Sequence, residues 1–253
     1  MDIHKIASRL DTAALNASAV AQISLESQFD IETAYAIQKL SIEERYKRSE
    51  KFIGVKLGFT SKEKMIQMGV HDMIWGRLTD KMLAENNSAI SISNFIHPRA
   101  EPEICFRIGK DINREINEAE LLKYINGVCG AIEIIDSRYE NFKFSLEDVI
   151  ADNCSSSALV LGNWESPELD ISNLNISLSF DSEEVASGNS NAILGNPWES
   201  VIAASRLCAQ YGQALPAGSI IMAGAATKAV YMKKDSSVKA SIDNLGDVSF
   251  RVK

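Results

Sequence analysis

At Phe52 the texture of this 253-residue chain changes, and that change narrows the folds open to it. Before it, apolar residues recur at helical spacing: Ile3, Ile6, Ala7 and Leu10 in one segment, Ala34, Ile37 and Leu40 in the next, after the acidic start Asp30-Ile-Glu32. Arg45, Lys47 and Arg48 crowd the end of the second segment, where positive charge complements a helix dipole. After Phe52 the chain breaks into short apolar runs separated by Gly, Pro, Asn and Asp. Strands are predicted over residues 52–56, 102–108, 131–135, 158–161, 176–180, 220–223 and 248–252, with helices over 61–68, 117–125 and 197–211. The expected class is α+β: a helical region over residues 1–50, then a strand-rich core over 51–253. No repeat, low-complexity tract or flexible linker interrupts it, so a single domain spanning 1–253 is expected.

Composition removes several function classes. A net charge of −8, with Lys and Arg dispersed, gives no basic stripe for nucleic acid. No apolar run approaches the roughly 18 residues of a membrane helix, and Met1-Asp-Ile-His-Lys lacks the plan of a signal peptide. Cys105, Cys129, Cys154 and Cys208 are scattered without CxxC spacing, which reads as free thiols in a reducing cytoplasm. His4, His71 and His97 are too few and too far apart to make a metal cluster. There is no Walker A motif and no GxGxxG, so a nucleotide-dependent enzyme is rejected.

Within His97-Pro-Arg-Ala-Glu-Pro-Glu-Ile104, Glu101 and Glu103 occupy alternate positions, and on a strand both project from one face. Side by side they repel, and a hard divalent cation removes that conflict; a solvated strand edge is the bland reading. Glu133 sits within an otherwise apolar strand, where an unpaired charge is costly. It is either the third arm of an oxygen-rich site with Glu101 and Glu103 or an ion-pair partner of Arg138 or Arg99. Asp136 reads as a support that orients a ligand or pairs with Arg138.

Lys56 lies between the glycines of Gly54-Val-Lys-Leu-Gly58, which permit close approach by a ligand; a surface lysine is the alternative. Arg77 offers an anion-binding fork. The polar run Asp152-Asn-Cys-Ser-Ser-Ser157, with Ser156 as candidate substrate contact, either turns the chain or supplies hydroxyls. Ala223-Gly-Ala-Ala-Thr227, with the Thr227 hydroxyl, either contacts an anion or makes a packing turn.

Lys56 in Gly-Val-Lys-Leu-Gly, then Glu101-Pro-Glu103, then Glu133 in Glu-Ile-Ile-Asp-Ser-Arg, then Ala-Asp-Asn before a strand, is an order of motifs that resembles the fumarylacetoacetate hydrolase superfamily. More narrowly it resembles the hydratase/decarboxylase branch of meta-cleavage degradation of aromatic compounds. The likeness runs from about Ile53 to the C-terminus. It implies a mixed, rolled β-sandwich core and Mg2+ or Mn2+ held by Glu101, Glu103 and Glu133, with Lys56 as the active-site lysine. It also implies a homo-oligomer and a complex with the pathway hydratase.

Hydratases of the branch carry an aspartate in a Pro-Asp-Phe-Gly-like segment. Here the segment is Asp72-Met-Ile-Trp-Gly76 and Ile74 takes that place. The implied reaction is therefore metal-dependent decarboxylation of 2-oxo-3-hexenedioate, a 2-oxo dicarboxylate, to 2-hydroxypenta-2,4-dienoate and CO2. Ile74 and Trp75 are expected to desolvate the departing carboxylate. A 2-hydroxypenta-2,4-dienoate hydratase and a non-catalytic partner of one are the alternatives, with a hydrolase of 1,3-diketone-like bonds behind them.

Overall fold

The structure is a computed structural model that describes residues 1–61, 65–66 and 72–253. The helix expected over 61–68 falls largely outside the described residues, and His71 lies wholly outside them.

Helix α1 (Ile3–Leu15) is capped by Asp2, whose carboxylate accepts from the N–H groups of His4 and Lys5. Helix α2 (Ile31–Lys47) is capped in the same way by Asp30. The two pack together, and Arg48 at the end of α2 forks onto the Asp11 carboxylate of α1 at 2.6 and 2.7 Å. From the buried face of α2, Gln38 donates to the carbonyls of Trp75 and Ile150, which ties the helical region to the strands beyond it. No helix among the described residues is long and apolar enough to cross a membrane.

The strands are β1 (Phe52–Gly58), β2 (Ile74–Thr79), β3 (Leu83–Ala84), β4 (Ala89–Ile90), β5 (Arg99–Ile108), β6 (Ile125–Ile135), β7 (Ser156–Leu161), β8 (Asn175–Phe180), β9 (Glu183–Asn189), β10 (Ile220–Ala225), β11 (Val230–Tyr231), β12 (Ser237–Ile242) and β13 (Gly246–Val252). They form two sheets. The larger has the order β2-β1-β10-β5-β6-β7-β3 with β11 on β5, and it is mixed: β1 runs parallel to β10 and β3 to β7. The smaller has the order β4-β13-β12-β8-β9.

The larger sheet curls, and its enclosed face carries Leu78, Cys105, Cys129, Ala131, Leu159 and Met222. Its other face is covered twice. Ile132, Ile134 and Val160 pack on Leu178, Val238, Val248 and Phe250 of the smaller sheet. Val55, Leu57, Trp75 and Phe106 meet the helices, including α5 (Trp198–Gln210), where Phe106 and Trp198 have ring centroids 4.7 Å apart. The fold is α+β with curled mixed sheets, as expected.

Each strand read from the sequence is present, several of them longer. β5 starts at Arg99, three residues before the expected boundary, so Glu101 lies inside the strand. The helix expected over 117–125 is a 3₁₀ turn at Glu118–Glu120 followed by the single turn α3 (Leu121–Tyr124), and Ile125 already belongs to β6. Five further strands and β2 were not expected. β9 is a polar edge strand and carries little apolar signal. β12 does alternate, with Val238, Ala240 and Ile242 inward, and its period of two was there to be read.

Candidate metal centre and active-site cavity

β5 and β6 run antiparallel with Glu101 opposite Glu133, Glu103 opposite Ala131 and Cys105 opposite Cys129. The pleat puts Arg99, Glu101, Glu103 and Cys105 on the enclosed face of β5, while Ala100 and Ile104 join the cores outside it. Glu133 lands on the same face of β6. The three glutamates, all buried, each offer an oxygen within 4.8 Å of the others. Between the first two stands Pro102, which has no N–H to give the ladder. At that level β10 breaks register between Met222 and Ala225, and Ala226 N–H donates to the Pro102 carbonyl at 3.2 Å.

The break turns one β10 amide inward. Gly224 N–H donates to Glu103 Oε2 at 2.9 Å. Gly224 has φ +103, and a Cβ there would lie 2.2 Å from Thr60 Oγ1, so a side chain is excluded on both counts. From β1, Lys56 Nζ reaches to 2.9 Å from Glu133 Oε2 and donates to the Cys154 carbonyl at 3.2 Å. That carbonyl is presented by Asn153, Cys154 and Ser155, three successive non-glycine residues in the left-handed region, a costly backbone run that concentrates at functional sites. The flanking glycines serve packing as much as ligand: the space at Gly54 is filled by the Ile220 backbone, whereas Gly58 lines the cavity.

The electrostatics are unbalanced. Burial, reinforced by repulsion from Glu133, pushes Glu103 well above the ordinary carboxylate range, against the pull of Lys56 and the Gly224 N–H. Burial also raises Glu133, with Lys56 opposing. For Lys56 burial works toward neutrality, but the Glu133 carboxylate and its neighbours outweigh it, and the ammonium is held above its usual value. Glu103 Oε1 and both Glu133 oxygens are buried with no hydrogen-bond donor in suitable geometry. Three buried carboxylates that each offer an oxygen close to the others fit a hard divalent cation.

Above the carboxylates opens a cavity of about 520 Å³. Its apolar wall is Ile74, Ile135, Phe142, Phe144 and Val149; its charged groups are Lys56, Glu101, Arg99, Lys143 and Lys228, with Ser155 beside them. Of the residues singled out in the sequence, Glu101, Glu103, Glu133, Lys56 and Ile74 come together here.

Others do not. Arg77 and Trp75 project from the opposite face of β2 to Ile74. Arg77 donates to Gln38 Oε1 at 2.6 Å and Gln213 Oε1 at 3.0 Å and lies over the Trp75 ring, which itself stacks on Tyr35; neither lines the cavity. The Ser156 hydroxyl is buried beside Gly76, because the left-handed run ahead of it rotates Ser155 into the cavity instead. Thr227 packs its methyl toward Gly188 and donates to the Lys228 carbonyl, leaving Lys228 and Ala229 on the wall.

The Asp136 carboxylate neither touches a glutamate nor pairs with the Arg138 guanidinium, which reaches only the Asp136 backbone carbonyl. Its carboxylate accepts from the N–H groups of Ile96 and His97 at 2.8 and 2.7 Å, fixing the chain as it enters β5. Arg138 pairs with Asp152, and Glu133 with Lys56 instead of either arginine considered for it. His97 turns its Nε2–H to the Ser137 carbonyl at 2.7 Å. Arg99, Phe142, Lys143, Ser155 and Lys228 were missed. For Arg99 the signal was present: it stands two residues before Glu101, on the same face.

The chain belongs to the fumarylacetoacetate hydrolase family: the fumarylacetoacetate (FAA) hydrolase C-terminal region matches residues 51–253. Within that family it is 49% identical over 250 residues to a 4-oxalocrotonate decarboxylase of Pseudomonas sp, covering 99% of this chain and 98% of the relative. It superposes with a TM-score of 0.94 on 4-oxalocrotonate decarboxylase from Pseudomonas putida G7 complexed with magnesium and adipate, at 31% identity and covering 99% of this chain and 97% of that one. The 2-keto-4-pentenoate hydratase 1 of Dechloromonas aromatica (strain RCB) is 30% identical over 223 residues, 87% of this chain and 85% of the relative.

Proposed function

We propose that this protein is a divalent-metal-dependent carboxy-lyase that converts 2-oxo-3-hexenedioate (4-oxalocrotonate) to 2-hydroxypenta-2,4-dienoate and CO2, in the degradation of aromatic compounds. The observation that carries the reading is the carboxylate cluster of Glu101, Glu103 and Glu133, with Lys56 against it, in a chain 49% identical over nearly its full length to a decarboxylase of that name. A solved relative holding magnesium and adipate, a six-carbon dicarboxylate, supports both the ion and the substrate class.

Glu101, Glu103 and Glu133 would hold Mg2+ or Mn2+. The ion supplies Lewis-acid stabilisation of the charge that develops on the substrate's 2-oxo oxygen. The C5–C6 bond breaks, C6 leaves as CO2, and its electrons run through the conjugated chain to that oxygen, so no organic cofactor is required. Ile74, Phe142, Phe144 and Val149 line the cavity with apolar surface, which favours neutral CO2 over a carboxylate. Lys56 stays protonated through the neutral range and provides a counter-charge, with Nζ as the proton source for the dienolate. Ile74, where the hydratases carry an acid, leaves water addition without its helper.

The chain works as one unit over 1–253, since Gln38 of the helical region bonds to backbone on both β2 and α4 (Leu146–Ala151). Its four buried free cysteines suit a cytoplasmic setting. A homo-oligomer, and association with the hydratase that consumes the product, complete the proposal.

The test is CO2 release from freshly generated 2-oxo-3-hexenedioate by chelator-stripped protein, with and without Mg2+. CO2 that depends on added metal is expected. Folded, metal-loaded protein that releases none but consumes 2-hydroxypenta-2,4-dienoate is a hydratase; one that does neither is a partner of the hydratase.

A further inference from the structure

We infer that Arg99 is the specificity-determining residue for the second carboxylate of the substrate, the one remote from the metal centre. The inference rests on the dicarboxylate reading of the cavity and identifies how that site selects its substrate class.

Arg99 opens β5 on the face that carries Glu101 and Glu103. Two residues along a strand is about 7 Å, a step that an extended six-carbon chain spans. The guanidinium lies between two aromatic rings, its carbon 3.9 Å from the centroid of Phe142 and 4.2 Å from that of Tyr231. One terminal nitrogen donates to the Tyr231 hydroxyl at 2.6 Å. The Nε–H is buried and has no acceptor.

Arg138, a fully buried structural arginine, has its donors satisfied, whereas the half-buried Arg99 leaves its buried Nε–H without an acceptor. Arg99 is instead held by its faces, through cation–π contacts, and keeps its hydrogen-bonding edge for something else. The clamp is specifically shaped: Asn141 and Phe142 both take left-handed backbone, at φ 58 and 56, as the chain passes over the guanidinium. Lys143 and Lys228 line the same cavity, so a protein with a net charge of −8 turns a cationic mouth toward its ligand.

This placement has a kinetic signature. The remote carboxylate is the one that departs as neutral CO2, so a cation beside it favours the bound ground state and gives nothing extra to the transition state. Arg99 therefore governs which molecules bind and leaves the rate of the bound complex to the metal centre. Losing it should raise KM while kcat is kept or increased.

The experiment is calorimetric titration of the Mg2+-loaded full chain with 2-oxoadipate and with 2-oxohexanoate, which share a six-carbon 2-oxo acid and differ in the remote carboxylate. The wild-type protein should prefer 2-oxoadipate by about tenfold or more, the worth of a charge-assisted fork. Arg99→Gln should abolish most of that preference while binding 2-oxohexanoate as the wild type does. Arg99→Lys, which keeps the charge and loses the fork, should fall between them, and it decides the matter if the glutamine variant does not fold. A preference that survives in the variants, equal weakening of both ligands, or no preference in the wild type would overturn the role of Arg99. If neither ligand binds the wild type, the metal-site reading itself falls and takes the inference with it.

Discussion

Two buried ion pairs lie close together in this molecule and differ in almost every respect. Arg138 and Asp152 form one, Lys56 and Glu133 the other. Arg138 has every kind of donor engaged: its Nε and backbone N–H go to the Asp152 carboxylate, and its terminal nitrogens go to the carbonyls of Asp136, Ser156 and Asp152 and to the Ser157 hydroxyl. Lys56 has one carbonyl, and Glu133 sits beside two further carboxylates with its oxygens short of donors. A buried pair that is fully hydrogen-bonded is a finished piece of architecture. One left short at this depth is arranged for something that arrives from outside.

The contrast can be broken in graded steps. The largest effect is expected from Arg138→Met, which leaves Asp152 buried and unpaired. Urea unfolding should show a loss of about 3–5 kcal/mol, and an unchanged midpoint would remove the structural role. Lys56→Met is expected to do the opposite in Mg2+-loaded protein, where the ion takes over as counter-charge to Glu133: a melting temperature near the wild-type value and turnover lower by about a hundredfold or more. Wild-type turnover in that variant would sink the assignment of Lys56 to the chemistry.

Arg77→Met is the next step down. It strands Gln38 and Gln213, so stability should fall by about 1–3 kcal/mol, with kcat/KM per folded molecule little changed. A selective rise in KM would return Arg77 to the substrate.

The finest discrimination comes from pH. Glu103 and Glu133 bind protons more tightly in the folded protein than their ordinary value of 4.5 allows. Their contribution to the stability of metal-free protein is therefore fully present below that value and is lost as pH rises through the folded-state values. Stability without metal should fall over that window. Saturating Mg2+ should flatten or reverse the fall, because the ion binds the deprotonated carboxylates. Asp152, pushed up to about 6 by burial against the pull of Arg138, contributes equally with and without metal, so the difference between the two profiles isolates the glutamates. Parallel profiles would mean that the ion binds elsewhere.

Legibility in the sequence followed the range of the interaction. Glu101 and Glu103 announce a shared face through a period of two, and Glu133 is conspicuous as one charge in an apolar run. The register that sets Glu133 opposite Glu101 is a long-range fact, and only the recurring order of motifs pointed to it. Arg77 misled because nothing local says which side of β2 is the inside; it is one residue on from Gly76, the cross-strand neighbour of Lys56, and so faces away. Ser156 misled because three left-handed residues ahead of it shift the alternation by one. The partnership of Asp152 with Arg138 was invisible, since the nearer Asp136 looked the better match and is taken up by two backbone amides of residues 96 and 97.

Pro102 stands between the two carboxylates of β5. A proline ring in the middle of a strand fixes one torsion on the path from Glu101 to Glu103, which narrows the backbone freedom of the segment that carries both carboxylates. A chelator whose arms are already splayed to their final width loses little entropy when an ion enters.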